Sequence, residues 1–187
     1  MHDGYFSQNR RAFSTAFVVG CCVLWGRSLF VENDEKEKMI MSMLCLDLGT
    51  KTGWCLARGT TILGSGTENF KTDRFSSAGM RFLRLRKFLD EMMLTAPIER
   101  VFYEEVRRHR GATDAHYYGG FWGTLTSWCE DHCISYEGIP VGTIKKTVTG
   151  YGNANKTAMI KAMHDKGHEP LDDNEADALS IFYTVIA

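Results

Sequence analysis

The chain has 187 residues, a formal net charge of -1 and a sequence pI near 6.6. Its 44% hydrophobic and 24% charged content excludes a disordered chain, and a chain of this length makes one ordinary domain without needing disulfide staples. The neutral balance excludes bulk charge as an argument for nucleic-acid binding, which must rest on local clusters.

Residues 1–42 differ in character from the rest of the chain. Ala12 to Trp25 is apolar, but shorter than the roughly 20 residues a membrane span needs, and Arg27 closes it. Arg10 and Arg11 suit the basic flank of a signal peptide, yet no small-residue cleavage site comes after the apolar run. Glu35-Lys36-Glu37-Lys38 directly precedes Met39, Met41 and Met43. Glu and Lys codons can be all purine, so the run reads as a ribosome-binding site translated as protein. Translation is then expected to begin at one of these methionines, leaving 1–42 a disordered or non-native extension ahead of a folded domain over 43–187. A signal or membrane segment and an ordinary folded extension are the alternatives.

Leu44 to Leu48 reads as a buried strand and Gly53 to Arg58 as its antiparallel partner, with the Gly-Thr-Lys-Thr-Gly stretch of residues 49–53 as the turn. Thr60 to Gly66 completes a three-strand meander. A helix is expected over Phe75 to Thr95, capped by Ser76 or Ser77. Its Phe82, Leu85, Phe88, Leu89 and Met92 recur at helical spacing, and Arg84, Lys87 and Glu91 form a solvated face. Arg100 to Val106 is the next strand. A helix over Ala112 to His132 carries Gly119, Gly120 and Gly123, which suggest close packing. Its Tyr117, Tyr118, Phe121 and Trp122 are expected in the core. Ile134 to Ile139 is a fifth strand. Helices over Val141 to Thr149 and Asn155 to His168 are broken by Gly150-Tyr151-Gly152, and a last helix runs from Asp172.

Of the six cysteines, Cys45 and Cys55 lie in strand patterns, where reduced Cys acts as a small buried hydrophobe. Cys129, His132 and Cys133 make only half of a zinc site, with no second pair at suitable spacing. A reducing, cytoplasmic compartment is expected.

Acids end three separate elements: Asp47, the pair Glu104 and Glu105, and the run Asp172 to Asp177. A charge in an apolar strand is costly unless it binds something. Each acid also has an ordinary explanation. Asp47 can stabilise the turn after it. Glu104 and Glu105 point to opposite sides of a strand, so one faces solvent. Asp172 with Glu175 resembles a capping box, and acids there suit the helix dipole. Asp177 escapes this account: it falls in the second turn beside Ala176, Ala178 and Leu179, on a face that should be buried. Asp173 and Asp177 share that helix face, about 6 Å apart, as do Asn174 and Asp177. Carboxylates converging from several elements suit Mg²⁺, and two such ions activate a water and stabilise a leaving oxygen at a phosphodiester.

In order and spacing, LCLDLGTKTGWCLA, VFYEEV, IKKTVTGYGNANKTAMIKAM and NEADALSI resemble the RuvC family of Holliday junction resolvases, its phage-type members in particular, over residues 43–187. The resemblance implies an α/β, ribonuclease H-like fold: a mixed five-stranded sheet, part antiparallel meander and part parallel, flanked by helices. It also implies a homodimer that cuts branched DNA such as four-way junctions by paired nicks, using two Mg²⁺ or Mn²⁺ ions per site. The family's ligands fall on Asp47, Glu104 and Asp177. Its fourth ligand position falls on Asn174, a departure that leaves neighbouring Asp173 as the favoured alternative. Its two functional lysines fall on Lys145, which would contact phosphate, and Lys156, which would approach the scissile phosphate. Its aromatic wedge after the middle strand is not matched, since Arg107 stands there. Arg107, Arg108, Arg110, Lys145, Lys146 and Lys156 are expected to hold backbone phosphates without reading sequence. No membrane association is expected. The rival readings are a YqgF-like RNA-processing nuclease, a non-catalytic module that keeps the fold, and an actin or sugar-kinase type ATPase. The last shares Asp-Leu-Gly-Thr but needs a second glycine-rich lobe.

Overall fold

A computed structural model of the chain describes residues 41–107 and 111–187. Arg108, Arg110 and all but the last two residues of the expected extension lie outside the described residues.

Strand β1 (Ser42–Asp47) is the middle of the sheet. It pairs antiparallel with β2 (Lys51–Arg58), which pairs antiparallel with β3 (Thr61–Asn69). On its other side β1 runs parallel to β4 (Arg100–Glu105), and β4 runs parallel to β5 (Ser135–Pro140). The order is β3-β2-β1-β4-β5, the mixed sheet the resemblance implies. Helices α1 (Met80–Thr95) and α2 (Ala112–Asp131) cover one face. Helices α3 (Val141–Thr149), α4 (Lys156–Asp165) and α5 (Asp173–Ile186) cover the other.

Both faces of β1 are therefore dry. Leu44 and Leu46 join the α1–α2 layer, and Met43 and Cys45 join the α3–α5 layer. Each fully buried side chain of this size is worth about 1.5–3 kcal/mol, which fixes the register of the central strand. Side chains alternate along a strand, so Asp47 falls on the Met43–Cys45 face, toward α5. The same rule separates the two glutamates of β4. Phe102 packs in the α3–α5 layer, whereas Val101 and Tyr103 pack under α1 and α2. Glu104 thus shares the face of Asp47, and Glu105 points away.

Several boundaries differ from expectation. The turn after β1 is shorter than five residues, because Lys51, Thr52 and Gly53 already belong to β2. The Thr52 hydroxyl closes the turn by donating to the Gly49 carbonyl at 2.8 Å. Helix α1 begins at Met80, not Phe75: Asp73 accepts the amide hydrogens of Phe75 at 2.9 Å and Ser76 at 2.8 Å, holding a turn there. Neither Ser76 nor Ser77 caps α1; Gly79 holds that position with no side-chain bond. Helix α4 stops at Asp165, where Gly167 turns left-handed (φ 88°) and the His168 amide returns to the Met163 carbonyl. On α2, Phe121 is fully buried as expected, but Trp122 is 42% exposed. Of the three glycines there, only Gly120 sits in a close approach, where a Cβ would lie 2.2 Å from the Phe82 ring. Cys45, Cys55 and Cys129 are buried free thiols and Cys133 is exposed. Among the described residues, no helix is long and apolar enough to cross a membrane.

Candidate active site

The site forms where β1 and β4 end beneath the first turns of α5. Asp47 stands opposite Gly53 in the β1–β2 ladder. A Cβ on Gly53 would lie 1.9 Å from the backbone oxygen of Asn174, so the missing side chain is what lets α5 settle against β2 beside Asp47. The first turn of α5 is then fastened to edge strand β3. Asp172, its N-cap, accepts the Glu175 amide at 3.0 Å and the Thr67 hydroxyl at 2.5 Å. The buried Glu175 carboxylate accepts the Ser65 hydroxyl at 2.7 Å and the Leu171 amide at 2.8 Å. The capping box is thus altered: Glu175 reaches back to Leu171 instead of Asp172, and turns its other oxygen to the sheet. At the other side, Tyr118 of α2 fixes the end of β4 by donating to the Glu104 carbonyl at 2.9 Å and accepting the Val106 amide at 3.3 Å.

This frame brings Asp47 within electrostatic reach of Glu104, Asp173 and Asp177, and Asp177 within reach of Glu104 and Asp173. Burial, then the charges of Glu104, Asp177 and Asp173, push the Asp47 carboxyl well above its usual range, against a smaller opposing pull from Lys156. Burial and Asp177 push Glu104 up to about 7, with Lys145 pulling the other way. Burial and Asp173 push Asp177 up to about 6, opposed by Lys145 and Lys156. Like charges held together disfavour ionisation unless a cation joins them. Asp47, Glu104 and Asp177 all retain some solvent contact, so the cluster is open on one side.

Two lysines provide part of that positive charge. Lys156 forms an ion pair with Asp173, and this bond, with the Asp173 charge, raises the lysine pKa. Lys145, on α3, lies close enough to Glu104 and Asp177 to oppose the rise in both. Lys146 is exposed. Arg107 is exposed and pairs with Glu105 at 3.0 Å, away from the cluster. The Asn174 amide nitrogen donates to Asp172 at 3.3 Å.

The donor set fits a hard divalent cation: carboxylate oxygens only, partly open to solvent, with mutual repulsion that a cation would relieve. Lys156 already places one positive charge against Asp173. Among the described residues, however, no three Asp, Glu, His or Cys side chains close on a single point as a preformed cage. Gly53, Tyr118, Ser65 and Thr67 support the site without signalling it in sequence.

No family model matches the chain, and no curated protein matches its sequence. Solved structures do match. RuvC of T. thermophilus in complex with a Holliday junction substrate aligns with a TM-score of 0.66 at 22% identity, over 77% of this chain and 92% of that one. A second Thermus thermophilus RuvC structure gives 0.64 at 22% identity over the same shares, 77% and 92%. The yeast mitochondrial Holliday junction resolvase Ydc2 gives 0.54 at 15% identity, over 86% of each chain. The chain has the ribonuclease H-like fold these proteins share.

Proposed function

We propose that residues 43–187 form a metal-dependent endonuclease that cuts branched DNA, four-way junctions above all, by paired nicks from a homodimer. The observation that carries this reading is the clustering of Asp47, Glu104, Asp173 and Asp177 from β1, β4 and α5, with Lys145 and Lys156 facing them. The likeness to a RuvC structure that holds a Holliday junction supports the choice of substrate.

In this reading Asp47, Glu104, Asp177 and Asp173 hold two Mg²⁺ or Mn²⁺ ions. Asp173 is favoured over Asn174 as the fourth ligand because its charge reaches both Asp47 and Asp177. When bound, such ions would supply a lowered pKa for an attacking water and an offset to the charge on the departing 3′ oxygen. Lys156 leaves Asp173 for the scissile phosphate, where its ammonium offsets the charge that builds up on the non-bridging oxygens. Lys145 holds a neighbouring phosphate over Glu104 and Asp177. Arg107 and Lys146, with Arg108 and Arg110, carry the flanking backbone by charge alone, so binding should weaken steeply with salt.

The test offers purified protein a mobile four-way junction, a flap, linear duplex and structured RNA, each with Mg²⁺ or EDTA. Symmetric nicks in the junction with Mg²⁺ alone support the proposal. Cleavage of RNA only would replace it with the YqgF-like reading.

A further inference from the structure

Between the two site lysines the chain makes the turn Gly150-Tyr151-Gly152, and the Tyr151 side chain stands 77% exposed. Among the described residues its hydroxyl makes no hydrogen bond and its ring meets no other ring. Single exposed aromatics are common on surfaces, but this one is held in place. Gly150 adopts a left-handed conformation (φ 81°) that ends α3, and its amide bonds the Lys146 carbonyl at 2.9 Å. The Thr149 hydroxyl accepts the Tyr151 amide at 3.2 Å and donates to the Lys145 carbonyl at 2.7 Å. The Ala154 amide then closes on the Tyr151 carbonyl at 3.2 Å. The backbone beneath the ring is thereby tied to the helix that carries Lys145, and Asn155 caps α4 just before Lys156.

Tyr151 lies six residues after Lys145 and five before Lys156. Chain geometry keeps its Cα within about 18 Å of either lysine Cα, roughly half a helical turn of duplex. One bound DNA can therefore touch all three. Beside the ring, a groove of about 830 Å³ runs between α3 and α4, lined by Val148, Ala158, Ala162 and Lys166 among others, with Lys161 paired to Asp165 at 2.7 Å along it. An exposed ring on a tied backbone between the two lysines, next to an open, largely apolar groove, offers what single-stranded nucleic acid uses: backbone charge plus a flat face for a base.

We propose, resting on the nuclease reading above, that Tyr151 is a stacking platform for a base whose face is exposed at the branch point of the DNA. Bases within a duplex have both faces occupied, and exposing one costs a few kcal/mol. Bases at a branch expose a face at lower cost. Tyr151 thus favours branched over linear DNA, whatever sequence surrounds the branch.

The test measures affinity in EDTA for a four-way junction and for linear duplex, using wild type, Tyr151→Ala and Tyr151→Phe. Loss of a base–aromatic stack should weaken junction binding by Tyr151→Ala roughly five- to hundredfold. Duplex affinity and melting temperature should stay unchanged, and Tyr151→Phe should bind the junction as wild type does. The proposal is overturned if Tyr151→Ala binds the junction normally, if it loses both substrates equally, or if Tyr151→Phe is no better than Tyr151→Ala. A wild-type protein that binds neither DNA overturns the nuclease reading together with this one, whereas wild-type junction binding that ignores Tyr151 overturns the stacking platform alone.

Discussion

At Gly53 a single hydrogen atom stands where any other residue would drive a carbon into the Asn174 carbonyl, 1.9 Å away. The neighbour is backbone at the start of a helix, so it cannot rotate aside. Gly53→Ala should cost about 1–3 kcal/mol by overpacking, lowering the melting temperature by roughly 2–4 °C per kcal/mol. Because the displaced turn carries Asp173 and Asp177, cleavage should fall more than stability alone explains. Thermal melts and junction cleavage on the same sample check this; full activity with an unchanged melt would mean that α5 does not need this approach. Sequence reading places Gly53 where the turn meets the second strand and assigns it no further role. The close approach was not legible because it depends on a residue 121 positions later (174 minus 53). Asp47, Glu104 and Asp177, by contrast, stood out in sequence as acids at apolar positions, although Asp47 and Glu104 each had an ordinary explanation and only Asp177 had none.

On the scale of elements, α5 is the hinge between sheet and site. Its start at Asp172 was readable from the Asp-x-x-Glu spacing, because capping is local. What Glu175 does was not: its carboxylate accepts from Ser65 of β3 and from Leu171, outside the pattern. Glu175→Ala leaves two partly buried donors without acceptors, at a cost of about 1–3 kcal/mol, and loosens the turn that carries Asp173. Glu175→Gln keeps one carbonyl oxygen and should lose less. Urea denaturation of both variants tests the order; equal stabilities for Glu175→Ala and wild type would show that α5 is held by its apolar face alone. The late start of α1 has the same origin: Asp73 draws the Phe75 and Ser76 amides into a turn, and a serine-first reading of the cap does not foresee that competition.

For the whole molecule, apolar runs and helical spacing were enough to locate five strands and five helices among the described residues, while the arrangement of the sheet followed from the family resemblance and the electrostatic character of the site came only with their convergence. Glu104 and Asp177 hold protons up to about pH 7 and 6 in the folded chain, against values near 4 when unfolded. Between about pH 4 and 7 the folded state therefore binds more protons, and stability falls as pH rises through that window. The melting temperature in EDTA should drop across this range. Excess Mg²⁺ should restore it at pH 8 by binding the ionised acids, and Asp47→Asn, which removes one repelling charge, should flatten the drop and melt higher than wild type in EDTA. A melting temperature independent of both pH and Mg²⁺ would contradict the cluster. Asp172, whose pKa is lowered, works in the opposite sense and only below about pH 4, outside this window.

The most direct measurement compares wild type and Asp47→Asn on one labelled four-way junction, recording binding in EDTA and strand cleavage on adding Mg²⁺. Wild type should cut only with Mg²⁺. Asp47→Asn should bind the junction with similar affinity yet cut it more than about a hundredfold more slowly, beyond the range set by loss of an outer-shell partner. Cleavage by Asp47→Asn at the wild-type rate, or cleavage by wild type in EDTA, would contradict the account.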